Sequence, residues 1–312
     1  MLAALVTVDG WSIARHYWRF MDRSNAIYAS DPTIEYIKRQ PVPGRVLALA
    51  LDAEASAPHD PMLSGDGLMS HRVRQVLGYH GNELGRYQTL YGKENGIANV
   101  ANPRFWQLMN VRYLMVSGTQ SPFPGAERLV GPVRNAAGSM VSLFAIPGDN
   151  PPAWVAPVIV KAPDDVVLST LFDPRLDDVR RAALFDTSAA VTAAQVKQLP
   201  APLAIAANVT RYDPGHITVR LASPAPAGSA LVVSENYYPG WAATADGKPA
   251  TVGRVDYVLT GVVLPTGATL VDLTFHSAPY ETGKVVTIFA MLLAIALTAG
   301  GVALDRRRPA SA

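Results

Sequence analysis

VVTIFAMLLAIALTAGGVAL, residues 285–304, is twenty residues without a charge, bounded by Lys284 and by Asp305-Arg306-Arg307-Arg308. At about 1.5 Å of rise per residue, such a helix matches the roughly 30 Å hydrocarbon core of a bilayer. A buried core helix of that length ordinarily keeps a polar stripe, and here only Thr287 and Thr298 carry a polar side chain. The run therefore reads as a transmembrane helix. The arginine cluster places the short tail in the cytoplasm and the body of the chain on the opposite side.

The remaining composition is that of a globular body. The 312 residues suit two globular units plus the anchor. The chain has 27 basic and 25 acidic residues, and the run from Asp305 to Arg308 holds three of the former and one of the latter. Without that run 24 of each remain, so the pI of 8.8 reflects the tail rather than a basic surface. With no basic stripe and no interleaved aromatic run, nothing points to nucleic acid. The absence of cysteine excludes disulfides, thiolate metal sites and a cysteine nucleophile.

Residues 1–8 (MLAALVTV) are apolar, and Asp9 ends the run. Eight residues cannot span a bilayer, and the segment has no basic n-region, so it is a poor signal peptide. Yet the arginine tail requires the body to be exported. The expectation is that residues 1–8 are the stub of an earlier helix, and that the chain is the C-terminal part of a multi-pass membrane protein. Trp11, Tyr17, Trp18 and Phe20 follow, suited either to the membrane–water interface or to ordinary packing.

Asp31-Pro32 signals a helix start, with Ile34 and Ile37 on its apolar side, and residues 45–51 (RVLALAL) read as a buried strand. The order repeats with a helix over 103–110 (PRFWQLMN) and a strand over 111–117 (VRYLMVS). Helix then apolar strand, twice, implies a mixed α/β layer. Residues 138–146 read as a further strand and 147–157 as a proline-rich connector. Residues 164–186 carry helix signals, including Asp173-Pro174 and an apolar face at Leu176, Val179 and Ala183. From Ala204 short strands take over: 217–221, 230–234, 241–244, 257–264 and 270–275, with Asp246-Gly247 marking a hairpin. The expected fold class is α+β: a mixed α/β layer, a small antiparallel β-sandwich and one C-terminal transmembrane helix. The expected organisation is a truncated membrane stub and interfacial segment over 1–22, an α/β domain over 23–160, a helical or mixed connector over 161–203, a β-sandwich over 204–283, the membrane helix over 284–305 and a tail over 306–312.

The run LVVSENYYPGWAATADGKPA, residues 231–250, contains Tyr238-Pro239-Gly240-Trp241 followed by Asp246-Gly247-Lys248. With the later Gly261, Val262, Pro265 and Gly267, it resembles the signature of the YfhO family of bacterial membrane proteins. Asn110-Val111-Arg112-Tyr113-Leu114 resembles the family's strand entry, and Gly78-Tyr79-His80 with Arg86-Tyr87 resembles another of its segments. Asp256 stands where the family pattern leads one to expect an asparagine. The resemblance covers roughly residues 30 to 304. It implies kinship with the C-type glycosyltransferases, which use a polyprenyl-phosphate sugar donor and carry the catalytic acid in an early loop. That region is not in this sequence, so no catalytic residue carries over and the chain alone is expected to be inactive.

Tyr237, Tyr238 and Trp241 are candidates for stacking on a glycan, against the alternative that Trp241 fills the core beside a Pro-Gly turn. Tyr79, His80, Glu83 and Arg86 are candidates for a loop facing a donor phosphate or an acceptor, Arg86 because guanidinium matches phosphate geometry. An exposed structural charge is the alternative for Arg86. His59, Asp60, Asp66, His71 and His80 could bind metal by type, but their spacing matches no closed site, so no metal and no cofactor is expected. Asp164-Asp165 and Asp177-Asp178 read as helix-start and surface carboxylates. The sequence thus points to an extracytoplasmic domain and last span, accessory to sugar transfer onto a cell-envelope glycan. Its expected partners are the lipid bilayer, a polyprenyl-phosphate sugar and that glycan. A noncatalytic, membrane-anchored binding or scaffold module is the alternative.

Overall fold

The first element of the computed structural model is helix α1 (Leu2–Ala14), which runs on past Asp9 instead of ending there. The structure describes residues 2–17, 23–79 and 81–307; Trp18, Phe20, His80 and Arg308 lie outside them. At about 1.5 Å per residue α1 is roughly 20 Å long, too short to cross a bilayer. Its side chains Leu5, Val6, Val8, Trp11 and Ile13 are each more than half exposed.

Two compact units follow from the chain's internal contacts. One contains the residues up to Glu83 and Asn110–Asn150; the other contains Leu84–Met109 and everything from Pro151 onward. In the first unit, α2 (Ser24–Ile27) precedes α3 (Pro32–Lys38). Asp31 caps α3 as its position before proline predicts, its carboxylate accepting from the Thr33 and Ile34 N–H groups. Strand β1 (Arg45–Leu49) and the short helix α4 (Pro61–Ser64) come next, then β2 (Val111–Ser117), β3 (Glu127–Arg134) and β4 (Met140–Ala145). They form a mixed sheet of order β1-β2-β4-β3, with β1 and β2 parallel and the other pairs antiparallel. Ile34, Val46, Met62, Leu68, Met115 and Leu143 make its core. Asn110 sits at the entry to β2 with φ 51°, a left-handed conformation that asparagine tolerates. Its amide donates to the Asn150 carbonyl (2.6 Å), while the Asn150 amide donates to Val111 O (2.8 Å). The Asn-Val-Arg-Tyr motif thus marks a buried structural clasp.

The second unit begins with α5 (Gly85–Tyr91) and α6 (Pro103–Leu108). Then come β5 (Ala153–Ala156), β6 (Ile159–Lys161), α7 (Asp164–Leu171) and β7 (Ala183–Phe185). Strands β8 (Ala207–Asp213), β9 (His216–Leu221), β10 (Ala230–Asn236), β11 (Trp241–Ala245) and β12 (Lys248–Ala250) succeed them. The series closes with β13 (Val252–Val255), β14 (Leu259–Val263), β15 (Leu270–Phe275) and α8 (Ala278–Arg307). The segment that reads as a proline-rich connector holds β5. The helix signals of 164–186 stop at Leu171, and Ala183, assigned from sequence to a helix face, opens β7. Both strands are buried along their whole length, which erases the period-two alternation that exposes a strand in sequence.

These strands form two sheets, of order β5-β10-β14-β13-β7-β6 and β12-β11-β15-β9-β8. All pairs are antiparallel except β6 with β7. Both sheets contribute to one apolar core, Val155, Leu231, Val233 and Val262 from the first and Ile217, Val219, Val271 and Leu273 from the second. Gly261 leaves room for the Phe185 ring of β7 within the first of these sheets: a Cβ there would lie 2.6 Å from Phe185 Cζ. The Asp246-Gly247 hairpin forms as expected, with φ 46° and 77° at the two turn residues, the mirror-image turn that matches strand twist.

The chain is therefore an α+β protein with several sheets and one long C-terminal apolar helix. Phe275 ends β15 and α8 begins at Ala278, with His276 and Ser277 between. None of the apolar window of α8 within Ala278–Ala303 is buried.

Candidate functional site

The Tyr237–Trp241 turn joins β10 to β11 at the end of the second sheet that feeds α8. The Tyr237 N–H donates to Val258 O (2.7 Å), and the His276 N–H donates to Gly240 O (3.0 Å). The second bond ties the turn to the root of the membrane helix. Gly240 has φ 126°, and a Cβ there would meet His276 O at 2.4 Å, so only glycine allows this approach. Phe275 lies between two of the aromatic candidates: its ring is 5.4 Å from Trp241 and 6.3 Å from Tyr238, edge-on to the latter. Trp241 is half-buried and packs against the core, while Tyr238 is 52% exposed. The core-filling alternative therefore describes Trp241, and Tyr238 presents a free ring face. Phe275 extends the group beyond the sequence candidates, and Tyr280 of α8, five residues further along, is exposed. The available signal was the position of both beside the apolar run.

The loop candidates are placed as follows. Tyr79 is 84% exposed, and its N–H donates to Asp66 Oδ1 (3.1 Å). Glu83 is half-buried at the end of the first unit, and Arg86 opens α5 in the second. His80 lies outside the described residues. Two of the metal-type residues are otherwise engaged: Asp60 caps α4 through Met62 N–H and accepts from Asn135 Nδ2 (2.6 Å), and Asp66 accepts from Gln75, while His71 Nε2 is buried without a hydrogen-bond partner. Among the described residues no group of three or more histidine or acidic side chains converges as metal ligands do.

Arg86 belongs to a chain of alternating charges. Its Nε donates to Asp164 Oδ2 (2.8 Å), Arg254 Nη1 lies 2.8 Å from Asp164 Oδ1, and Arg254 Nη2 lies 3.4 Å from Asp186 Oδ2. Burial pushes the Asp164 carboxyl up, but hydrogen bonds from Arg86 and Arg254 outweigh it and hold the group below its ordinary value. To bind a phosphate, Arg86 would have to release this carboxylate.

Asp256, noted in sequence only as a departure from the family pattern, is a buried ionisable group. It is fully buried, with φ 46°. Its Oδ1 accepts from the Leu184 N–H (3.0 Å), and Oδ2 has no partner. Burial pushes its carboxyl up to about 7, with the Leu184 hydrogen bond opposing. The signal was present in sequence as an aspartate where asparagine was expected.

Two clefts occur. One of about 390 Å³ in the second unit is lined by Ile159, residues 190–194, Gly228, Thr251, Val263 and Leu264, with no ionisable side chain. One of about 220 Å³ lies at the C-terminal end of β1, with Ser64 as its polar side chain. That hydroxyl already donates to Asp60 O. Neither cleft assembles an acid, a base or a nucleophile.

No protein-family profile matches the chain, and no curated protein matches it. Among solved structures it is similar to the arabinofuranosyltransferase AftD from Mycobacteria, seen by cryo-electron microscopy as the R1389S mutant, at 28% sequence identity. The likeness covers 38% of this chain and 9% of that one. Its TM-score is 0.27, a value at which it carries no argument about fold or mechanism.

Proposed function

We propose that this chain is the extracytoplasmic domain and last span of a YfhO-like, multi-pass membrane protein. In this reading it is accessory to the transfer of a sugar from a polyprenyl-phosphate donor to a cell-envelope glycan. The observation that carries the reading is α8. Its apolar side chains are exposed throughout the described part of the 285–304 run, although it follows directly from a well-packed sheet. Water does not tolerate so long an unburied apolar helix, and each Leu, Ile, Phe or Val at its centre favours lipid by roughly 0.3–0.6 kcal/mol. The basic tail supports a cytoplasmic C-terminus and an exported body. The Tyr238–Trp241 and Asp246–Lys248 residues support the family, and the lack of an assembled catalytic group in either cleft suits an accessory part.

Two measurements test this. A topology reporter inserted after Asn150 is expected to be active only outside the cytoplasm, and one fused after Arg307 only inside. The opposite pattern ends the proposed orientation. Deleting residues 204–276 from the protein in its own cell is expected to change envelope glycan composition. An unchanged glycan with normal protein levels would refute the accessory role and leave a scaffold module.

A further inference from the structure

The aromatic turn lies where the domain meets its membrane helix, and that position gives it a role other than sugar stacking. Tyr238 is 52% and Tyr280 65% exposed, and Phe275 packs edge-on against the Tyr238 ring and beside Trp241. The hydrogen bond from His276 to Gly240 O fixes the turn two residues before α8 begins. On α8 itself, Lys284 lies over the Tyr280 ring at 5.7 Å and pairs with Glu281 at 2.6 Å, immediately before the apolar run. Tyrosine and tryptophan rings with one apolar and one polar end concentrate at lipid headgroup level, and a lysine at a helix end reaches the same layer. Lys248, by contrast, lies beyond the far end of β11 from Trp241, roughly 13 Å along the strand direction at about 3.3 Å per residue.

We propose that Tyr238, packed on Phe275, and Tyr280 form an aromatic anchor that rests in the headgroup layer and holds the two-sheet unit against the bilayer. The occupant of this surface is lipid, because the surface is continuous with a helix that enters lipid. The inference rests on the reading of α8 as a membrane span. A tethered but unanchored domain would swing about residues 276–277; the anchor gives it one fixed tilt.

The chain contains no cysteine, so single-cysteine variants carry no background. Tyr238→Cys, Lys248→Cys and Leu292→Cys of the full chain are labelled with a nitroxide in vesicles of phosphatidylethanolamine and phosphatidylglycerol. Depth is read from the ratio of oxygen to nickel-chelate accessibility. The expected order is deep at 292, headgroup level at 238 and aqueous at 248, with nickel accessibility several-fold lower at 238 than at 248. A deep 292 with equally aqueous 238 and 248 overturns the anchor and leaves the span intact. An aqueous 292 overturns the span and the anchor with it. Protection of 238 by a soluble envelope oligosaccharide, in place of lipid, overturns the anchor in favour of glycan stacking.

Discussion

Asp256→Asn is expected to stabilise this protein at neutral pH and to abolish a pH dependence that the native chain should show. The native carboxyl is fully buried and sits at about 7, against an ordinary value of 3.8. The folded state therefore holds its proton over a range in which the unfolded chain has lost it. Below pH 4 both states are protonated and Asp256 costs no ionisation. As pH rises from about 4 to about 7 the unfolded state ionises first, and stability falls. Above about 7 both states are ionised and the loss levels off. The gap corresponds to about 4 kcal/mol. Asparagine keeps an acceptor for the Leu184 N–H and tolerates the left-handed φ of 46°, but its second amide position faces the site where Oδ2 has no partner. Leaving that donor unpaired costs about 1–3 kcal/mol, so a net gain of roughly 1–3 kcal/mol is expected at pH 8. Asp256→Ala should lose stability at every pH, because it orphans the Leu184 N–H and is strained at positive φ. The assay is chemical denaturation of the full chain in detergent, followed by tryptophan fluorescence from pH 4 to pH 8. Parallel pH profiles for the native chain and Asp256→Asn would refute the reasoning.

Two further outcomes follow from packing and charge. Gly261→Ala puts a methyl group 2.6 Å from Phe185 Cζ and is expected to cost about 1–3 kcal/mol, read as a lower unfolding midpoint; an unchanged midpoint would show that Phe185 is free to move. Arg86→Ala should cost under about 1 kcal/mol, because its pair with Asp164 is half-exposed. Arg254→Ala should cost roughly 2–4 kcal/mol, because that side chain is 13% exposed and its loss leaves both Asp164 and Asp186 without their shared cation. Equal losses for the two arginines in the same denaturation assay would contradict the burial difference.

Elements with a local chemical signature were legible from sequence. The Asp31 cap, the Asp246-Gly247 hairpin and strand β2 needed only capping, turn and alternation rules, and α8 needed only length and charge. Strands β5, β6 and β7 escaped because they are short and lie inside a sheet built from distant parts of the chain. Strand β3 escaped because Pro132 interrupts it and its edge position leaves its apolar residues Leu129, Val130 and Val133 only partly buried. Of the candidate residues, Tyr238 and Trp241 both pack on Phe275, which lies more than thirty residues further along and so was not grouped with them in sequence.

The sequence by itself determined that residues 285–304 are long and apolar enough to cross a membrane, that the body is neutral and free of cysteine, and that helices and short strands alternate along it. Those properties depend on a residue's own chemistry and on neighbours within one or two turns. Only the tertiary structure decided that Arg86 is already held by Asp164, that burial raises the Asp256 carboxyl, and that the aromatic turn is bolted to the root of α8. Each of those depends on desolvation or on a partner brought from elsewhere in the chain, and neither desolvation nor distance is written in local sequence.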